Sequence, residues 1–258
     1  MANLTDGFWN KIGDVNSDVF GIGIFGDGGI YEVPYRHYYE VKNLKKLVKF
    51  TTNMKVLELG CGGGRFAMDI APLVNKYVGI DYSEKAIDIA QKQSEKLCLS
   101  NTEFIQGSAV DFKYDDKFDV VYFGCVLQYL KEEEVKKTLK NLKRNLKDNT
   151  IIIDRSSNFN NIRHIADSIL YYCIYRTPKE IENLFKNTGY KLVSRKRSYN
   201  FLTAGLFMRK YLKSNIMFRK SIYKIMNIFS NVFNSFIYND RKGNYFSHDF
   251  FVFKRSSK

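Results

Sequence analysis

At 258 residues, 45% of them hydrophobic, the chain can bury a sizeable core as one α/β domain with an insertion or a small cap. The four cysteines (61, 98, 125 and 173) form no CxxC pair, and the three histidines offer no zinc spacing; a metal site is not expected, and a reduced, cytoplasmic setting fits best. Fourteen Lys and Arg against two acids fall from Arg195 onward, so nearly all of the net +14 lies in the last quarter and predicts a polyanionic partner there: anionic lipid, phosphorylated glycan or nucleic acid.

Residues 1–10 lack the basic start and apolar centre of a signal peptide. No uncharged apolar run approaches the ~18 residues of a spanning helix. Residues 1–34, rich in aromatics and glycine, read as an irregular arm with turns at Gly26–Gly29. Tyr35–Phe50 reads as a helix with Tyr38, Val41, Leu44, Leu47 and Val48 on one stripe.

The chain is organised around Val56-Leu57-Glu58-Leu59-Gly60-Cys61-Gly62-Gly63-Gly64-Arg65. An apolar run leads into a glycine-rich turn, and residues 65–74 read as a helix whose free N–H groups and positive dipole end would face an anionic group. A phosphate loop would need Gly-Lys-Ser/Thr, which is absent. A dinucleotide turn, Gly-x-Gly-x-x-Gly/Ala, fits Gly60 and Gly62 but puts Arg65 where no bulk is wanted.

Next, Tyr77–Asp81 reads as a short strand ending in an acid, and Ser83 as the N-cap of a helix to Leu97. Glu103–Phe112 is a third strand with its loop, and Phe118–Gly124 a fourth, with Cys125–Leu130 turning off its end. Residues 132–146 read as a helix, 150–154 as a fifth strand, and Thr177-Pro178-Lys179-Glu180 as a capping box opening a helix that ends at Gly189. Two segments remain, Tyr190–Ser198 and Phe246–Lys254. Between them, residues 199–245 form a basic, aromatic insertion. Ile222, Ile225, Met226, Phe229, Val232, Phe233 and Phe236 recur there at helical spacing, opposite Lys220, Lys224, Asn227, Asn231 and Asn234. Two readings of it stand: a cap packing on the main domain, or, through Arg209–Lys224 with Phe207, Tyr211, Ile216 and Phe218, a surface docked on an anionic membrane.

Glu-x-Gly-x-Gly-x-Gly from Glu58, followed in order by Asp81, Gly107-Ser108-Ala109 and the turn after the fourth strand, resembles the class I S-adenosylmethionine (SAM)-dependent methyltransferases. The resemblance covers about 41–198 and 246–254. It implies a doubly wound, mostly parallel, seven-stranded Rossmann-like sheet closed by the strand pair Tyr190–Ser198 and Phe246–Lys254, with an N-terminal lid (1–50), a SAM-binding core (51–198), the helical insertion, and a last strand with a basic tail (246–258). It further implies that SAM is bound by Glu58, Gly60, Cys61, Gly62 and Gly64; by Asp81, as ribose ligand, with Tyr82; by Ser108 and Ala109 at the adenine; and by Cys125, Val126 and Gln128 near the methionine part and the acceptor. Tyr35 and Arg36 would close over the SAM carboxylate. Many relatives carry Asp where Ser108 stands and His where Gln128 stands.

The implied function is methyl transfer to an O or N atom of a small-molecule or lipid- or glycan-linked acceptor. The alternatives are an RNA methyltransferase using the basic C-terminal region, or a non-catalytic SAM-binding partner subunit. SAM already carries an activated leaving group, so no large catalytic constellation is needed, and an oxygen acceptor would need only a base. His164, in the loop after the fifth strand, and His37, in the lid helix, are the candidates; Asp154 and Arg155 end the fifth strand. No Asn/Asp-Pro-Pro-Tyr motif follows strand four, and no Pro-Cys pair exists, so Cys125 reads as a packed thiol. The expected location is cytoplasmic, peripheral to a membrane if the basic region docks there.

Overall fold

The computed structural model describes residues 8–9, 29–167, 172–200, 221–225, 227–229 and 246–256. Five strands, β1 (Lys55–Leu59), β2 (Lys76–Asp81), β3 (Thr102–Gln106), β4 (Phe118–Gly124) and β5 (Leu146–Phe159), lie parallel in the spatial order β3-β2-β1-β4-β5. A hairpin-like pair, β8 (Tyr190–Arg197) and β9 (Phe246–Arg255), completes the seven-stranded sheet, with β9 antiparallel to both β5 and β8. The order reverses between β1 and β4, the switch point where ligands bind in such sheets. A separate two-stranded sheet pairs β6 (His164–Asp167) with β7 (Tyr172–Tyr175).

Strand side chains alternate between faces, and the core divides accordingly. Leu57, Val121, Ile152 and Phe251 pack toward the helices Glu132–Leu142 and Pro178–Lys186. Val56, Val120, Ile153 and Phe250 pack toward the N-terminal helix α1 (Gly29–Leu47) and the segment 66–74. Two positions further along, Glu58, Tyr122 and Arg155 therefore fall on the α1 face, and Asp154 on the opposite one. This parity sets the chemistry of each face.

Several elements differ from the sequence reading. Helix α1 begins at Gly29, not Tyr35, and runs through Pro34. That proline costs one i→i−4 bond close to the helix start, while Val33, Tyr35, His37, Tyr39 and Glu40 are buried beside the expected stripe. The helix expected over 65–74 shrinks to one α turn, Ala67–Ile70, then a 3-10 turn, Ala71–Leu73, with Pro72 interrupting it. The helix from Glu132 ends at Leu142, and Leu146 opens β5. Strand β5 itself runs to Phe159, because the polar residues Ser156–Asn158 pair with an equally polar stretch of β9, Ser247–Asp249. Polar runs do not read as buried strand in the sequence.

Of the insertion, residues 199–200, 221–225 and 227–229 are described, the last two stretches helical. Ile222 and Tyr223 pack with Tyr35, Tyr39 and Tyr199, and the Tyr39 hydroxyl donates to the Tyr223 carbonyl at 3.0 Å. Ile225 and Phe229, expected on the inward stripe, are exposed, as is Ile228. Gly26–Gly28, Phe207–Lys220, Met226 and Asn231–Phe236, named in the sequence reading, lie outside the described residues. No helix among the described residues is long and apolar enough to cross a membrane.

Candidate functional site

The ends of β1, β2 and β4 meet at the glycine turn. Gly60 has φ +77°, and a Cβ there would stand 2.8 Å from Val126 Cβ, so the loop after β4 closes directly over this glycine. Gly64 (φ +76°) does the same toward helix Glu84–Lys96, where a Cβ would meet Ala90 Cβ at 3.0 Å. The N–H groups of Gly60 and Cys61 both donate to the Ile80 carbonyl, at 2.8 and 3.1 Å, and Gly64 N–H donates to the Cys61 carbonyl at 3.1 Å. The turn thus spends these donors within the chain, and a four-residue helix sums to little dipole. The expected anion cradle of free N–H groups is replaced by a shape: a tight bend that lets backbone approach closely.

Asp81 is the polar anchor of this end. Its Oδ2 accepts Gly62 N–H at 2.7 Å and its Oδ1 accepts Ser83 N–H at 3.0 Å, while Ser83 caps the next helix by accepting Ala86 N–H at 3.2 Å. The carboxylate still has acceptor capacity left for a ligand. Burial raises the Asp81 carboxyl, against the pull of the backbone donors from Ser83, Gly62 and Tyr82. Tyr82 is 50% exposed beside it. Ser108 Oγ accepts Val110 N–H at 3.1 Å, shaping the loop after β3, and Ala109 is buried.

Glu58 lies beneath the turn and receives the Tyr77 hydroxyl. Burial pushes its carboxyl up to about 8, although the Tyr77 hydrogen bond pulls it down. Cys61 is buried, its thiol likewise raised by burial, and sits where a Cβ on Gly79 would be only 2.9 Å from its Sγ. Both stand behind the turn as support.

On the other side, Cys125 turns the chain off β4 in the left-handed region, φ +64°, a conformation costing an L residue roughly 1–2 kcal/mol. Its N–H is shared between the carbonyls of Phe123 (3.1 Å) and Arg155 (3.0 Å), and its Sγ touches Arg155 Nη1. Gln128 is buried and its Oε1 accepts Ser157 N–H at 3.1 Å, fastening this loop to the extended end of β5. Arg176 fastens it from the other face, donating to the carbonyls of Leu127 (2.7 Å) and Leu130 (2.6 Å).

The histidines named as base candidates lie apart from one another in the fold. His37 is buried in α1, with Nε2 2.8 Å from Asp69 Oδ2 and Nδ1 3.2 Å from Arg65 Nη1. Burial lowers its pKa, against the Asp69 contact that raises it. His164 does not lie in a loop: it opens the exposed strand β6 and stacks on Tyr175 at 6.1 Å between ring centroids.

The sequence reading missed the charged centre between α1 and β5. Glu40, fully buried, takes Arg155 Nε at 2.6 Å on Oε1 and Arg65 Nη2 at 2.6 Å on Oε2, with Arg36 Nε at 3.9 Å. Burial would raise the Glu40 carboxyl, but the three guanidinium groups hold it well below the usual range. Its signal was one Glu in register with an apolar stripe: Glu40, Leu44 and Val48 stand at i, i+4 and i+8. On the opposite face, Asp154 lines a small cavity of about 10 Å³ with Gln128, Ser156 and Arg176. Its Oδ2 accepts the Ser156 hydroxyl at 2.8 Å, and burial pushes its carboxyl up to about 7.

Residues 50–205, more than half of the chain, match the methyltransferase domain family. The chain belongs to the class I SAM-dependent methyltransferases. Among curated relatives of this methyltransferase chain, an uncharacterized protein of Rickettsia prowazekii is 34% identical over 66% of the chain and 34% of its own length. A demethylmenaquinone methyltransferase of Lactococcus lactis is 31% identical over 35% of the chain and 37% of its own length. The chain thus spans about a third of the length of these relatives. Among solved structures, a SAM-dependent methyltransferase from Thiobacillus denitrificans in complex with S-adenosyl-L-homocysteine has 18% identity and a TM-score of 0.55, over 84% of this chain and 90% of that one. At that identity the likeness is one of fold.

Proposed function

We propose that this methyltransferase-family chain binds SAM at the switch point and moves its methyl group to an O or N atom of a small-molecule or lipid- or glycan-linked acceptor. The observation that carries the reading is Asp81, a carboxylate fixed by the Gly62 and Ser83 N–H groups at the end of β2, where such sheets present an acid to the ribose hydroxyls. Family membership and the S-adenosylhomocysteine held by the Thiobacillus denitrificans protein support the same reading.

Bound SAM supplies a methyl group on a sulfonium, a leaving group that becomes a neutral thioether on transfer. The task of the chain is placement and exclusion of water. In this reading Gly60 and Gly62 let the backbone come close, and Ser108 and Ala109 border the adenine. Cys125, Val126 and Gln128 border the methionine end, with Glu58 and Cys61 supporting the turn from behind and Gly64 seating it on Ala90. Arg36, in α1, reaches over the methionine carboxylate. Tyr82 flanks the ribose. His37 already engages Asp69 and Arg65 through its two ring nitrogens, so it fits a role in holding α1 against the turn better than proton transfer. His164, exposed on β6, is left as the base candidate for an oxygen acceptor.

Titration of the full chain with S-adenosylhomocysteine tests cofactor binding, and Asp81→Ala should weaken it at least about tenfold, the loss of roughly 1.4 kcal/mol. Unchanged affinity in that variant would refute the ribose assignment. Incubation with methyl-labelled SAM and fractionated lysate from the source then reads the acceptor class. Label in a small-molecule, lipid or glycan fraction supports the reading. Label in RNA, with binding that falls steeply with salt, would transfer the basic C-terminal region to RNA recognition. Cofactor binding without label in any fraction would favour a partner subunit.

A further inference from the structure

Among the described residues, three buried donors around Glu40 have no hydrogen-bond acceptor: Arg155 Nη2, Arg36 Nε and the Tyr122 hydroxyl. The Arg155 side chain is only 2% exposed. Arg36, Arg65 and Arg155 all take Glu40 as their ion-pair partner, so three guanidinium groups share one carboxylate. Arg65 is well served, by Glu40 and His37. Arg155 and Arg36 are not, and a buried guanidinium without full compensation costs several kcal/mol. Tyr122 lies within electrostatic range of Glu40, Arg65 and Arg155 and supplies a third idle donor.

The position of this excess charge says which ligand it suits. Arg155 pairs with Gly124 across β4 and β5, and its Nη1 touches Cys125 in the turn off β4. Its guanidinium lies 5.6 Å from the centroid of the Tyr199 ring, on which His248 stacks at 4.7 Å. This is the β5–β9 side of the switch point. The proposed ribose ligand, Asp81, is on β2, across β1 and β4. Resting on the SAM reading above, we infer that the acceptor carries a carboxylate or phosphate group, bound by Arg155. A planar guanidinium fork with an unused N–H suits either oxyanion.

The test uses the full chain loaded with S-adenosylhomocysteine and titrated with inorganic phosphate, in the wild type and in Arg155→Gln and Arg155→Lys. The second variant guards against a folding defect in the first, since lysine keeps the positive charge that balances Glu40. The expected result is phosphate binding by the wild type that weakens about tenfold or more in each folded variant, with S-adenosylhomocysteine affinity changed less than about twofold. No phosphate binding up to about 10 mM, or binding equal in wild type and variants, overturns the inference. So does a loss of S-adenosylhomocysteine affinity in the variants while 5′-methylthioadenosine, which lacks the amino-acid part, binds as before; Arg155 then serves the cofactor's carboxylate. A wild type that binds neither nucleoside refutes the SAM reading instead, and the phosphate titration of the free chain still decides the arginine site.

Discussion

Arg155 donates its Nε to Glu40 Oε1 at 2.6 Å, joining the fifth strand to the N-terminal helix across 115 residues of sequence. Both side chains are buried, and Arg65, from just beyond the glycine turn, shares the same carboxylate. One acid thereby ties the N-terminal helix, the turn and the fifth strand together.

Glu40→Gln should therefore cost more than a typical core polar change. It keeps the shape but leaves Arg155 and Arg65 without a counter-charge, a loss of about 3–5 kcal/mol. Urea denaturation monitored by circular dichroism measures it, and adding Arg155→Met to Glu40→Gln should recover part of the loss. A Glu40→Gln protein as stable as wild type would show that the cluster contributes nothing to folding.

Gly60→Ala meets two obstacles at once: a φ of +77° and a Cβ contact of 2.8 Å with Val126 Cβ. Backbone strain alone is of order 1–3 kcal/mol, and the collision displaces the 125–128 loop. The melting temperature should fall and S-adenosylhomocysteine binding should be lost or strongly weakened, both read from one thermal-shift series with and without the nucleoside. Full binding in Gly60→Ala would contradict the close approach.

The pH dependence of stability should carry the mark of Asp154. Its folded pKa, about 7, lies above the ordinary 3.8, so the native state holds its proton more tightly than the unfolded chain. The stabilisation is complete below about pH 4 and drains away as pH rises toward and past 7, by at most about 1.4 kcal/mol per pH unit. Glu58, at about 8, acts in the same direction. Asp154→Asn removes one of the two contributions, so its stability relative to wild type should improve steadily from pH 4.5 to 8. A difference that stays flat across this range would show that Asp154 is not held protonated.

Thr177 accepts Glu180 N–H at 3.3 Å while Glu180 Oε2 accepts Thr177 N–H at 2.8 Å, a reciprocal cap on helix Pro178–Lys186. Thr177→Ala should cost about 1 kcal/mol, measured by chemical denaturation. Cofactor affinity should not change, since this cap lies on the face opposite α1.

Much of the frame was legible because it rests on local rules. Apolar strands, the Ser83 N-cap and the Thr177 capping box follow from spacing and residue type, while the closing pair Tyr190–Ser198 and Phe246–Lys254 followed from the family resemblance. Element ends were legible only where a strong local signal stood. Gly29 gave no sign of a helix start, and Ser156–Asn158 concealed a strand because their partners, Ser247–Asp249, come about ninety residues later. Strand pairing of that kind is non-local, and no window along the chain contains it.

The sequence by itself pointed to the family and determined the succession of elements along the chain and the place of the glycine turn and Asp81, since each depends on near neighbours and on which residue types permit a backbone conformation. The tertiary structure alone decided how the charges are shared. Face parity brings Glu58, Tyr122 and Arg155 under the N-terminal helix and sends Asp154 to the other side. Glu40 becomes the common partner of three arginines only when α1 crosses the end of β5. Electrostatic energy depends on distance and burial, and neither exists before the chain has folded.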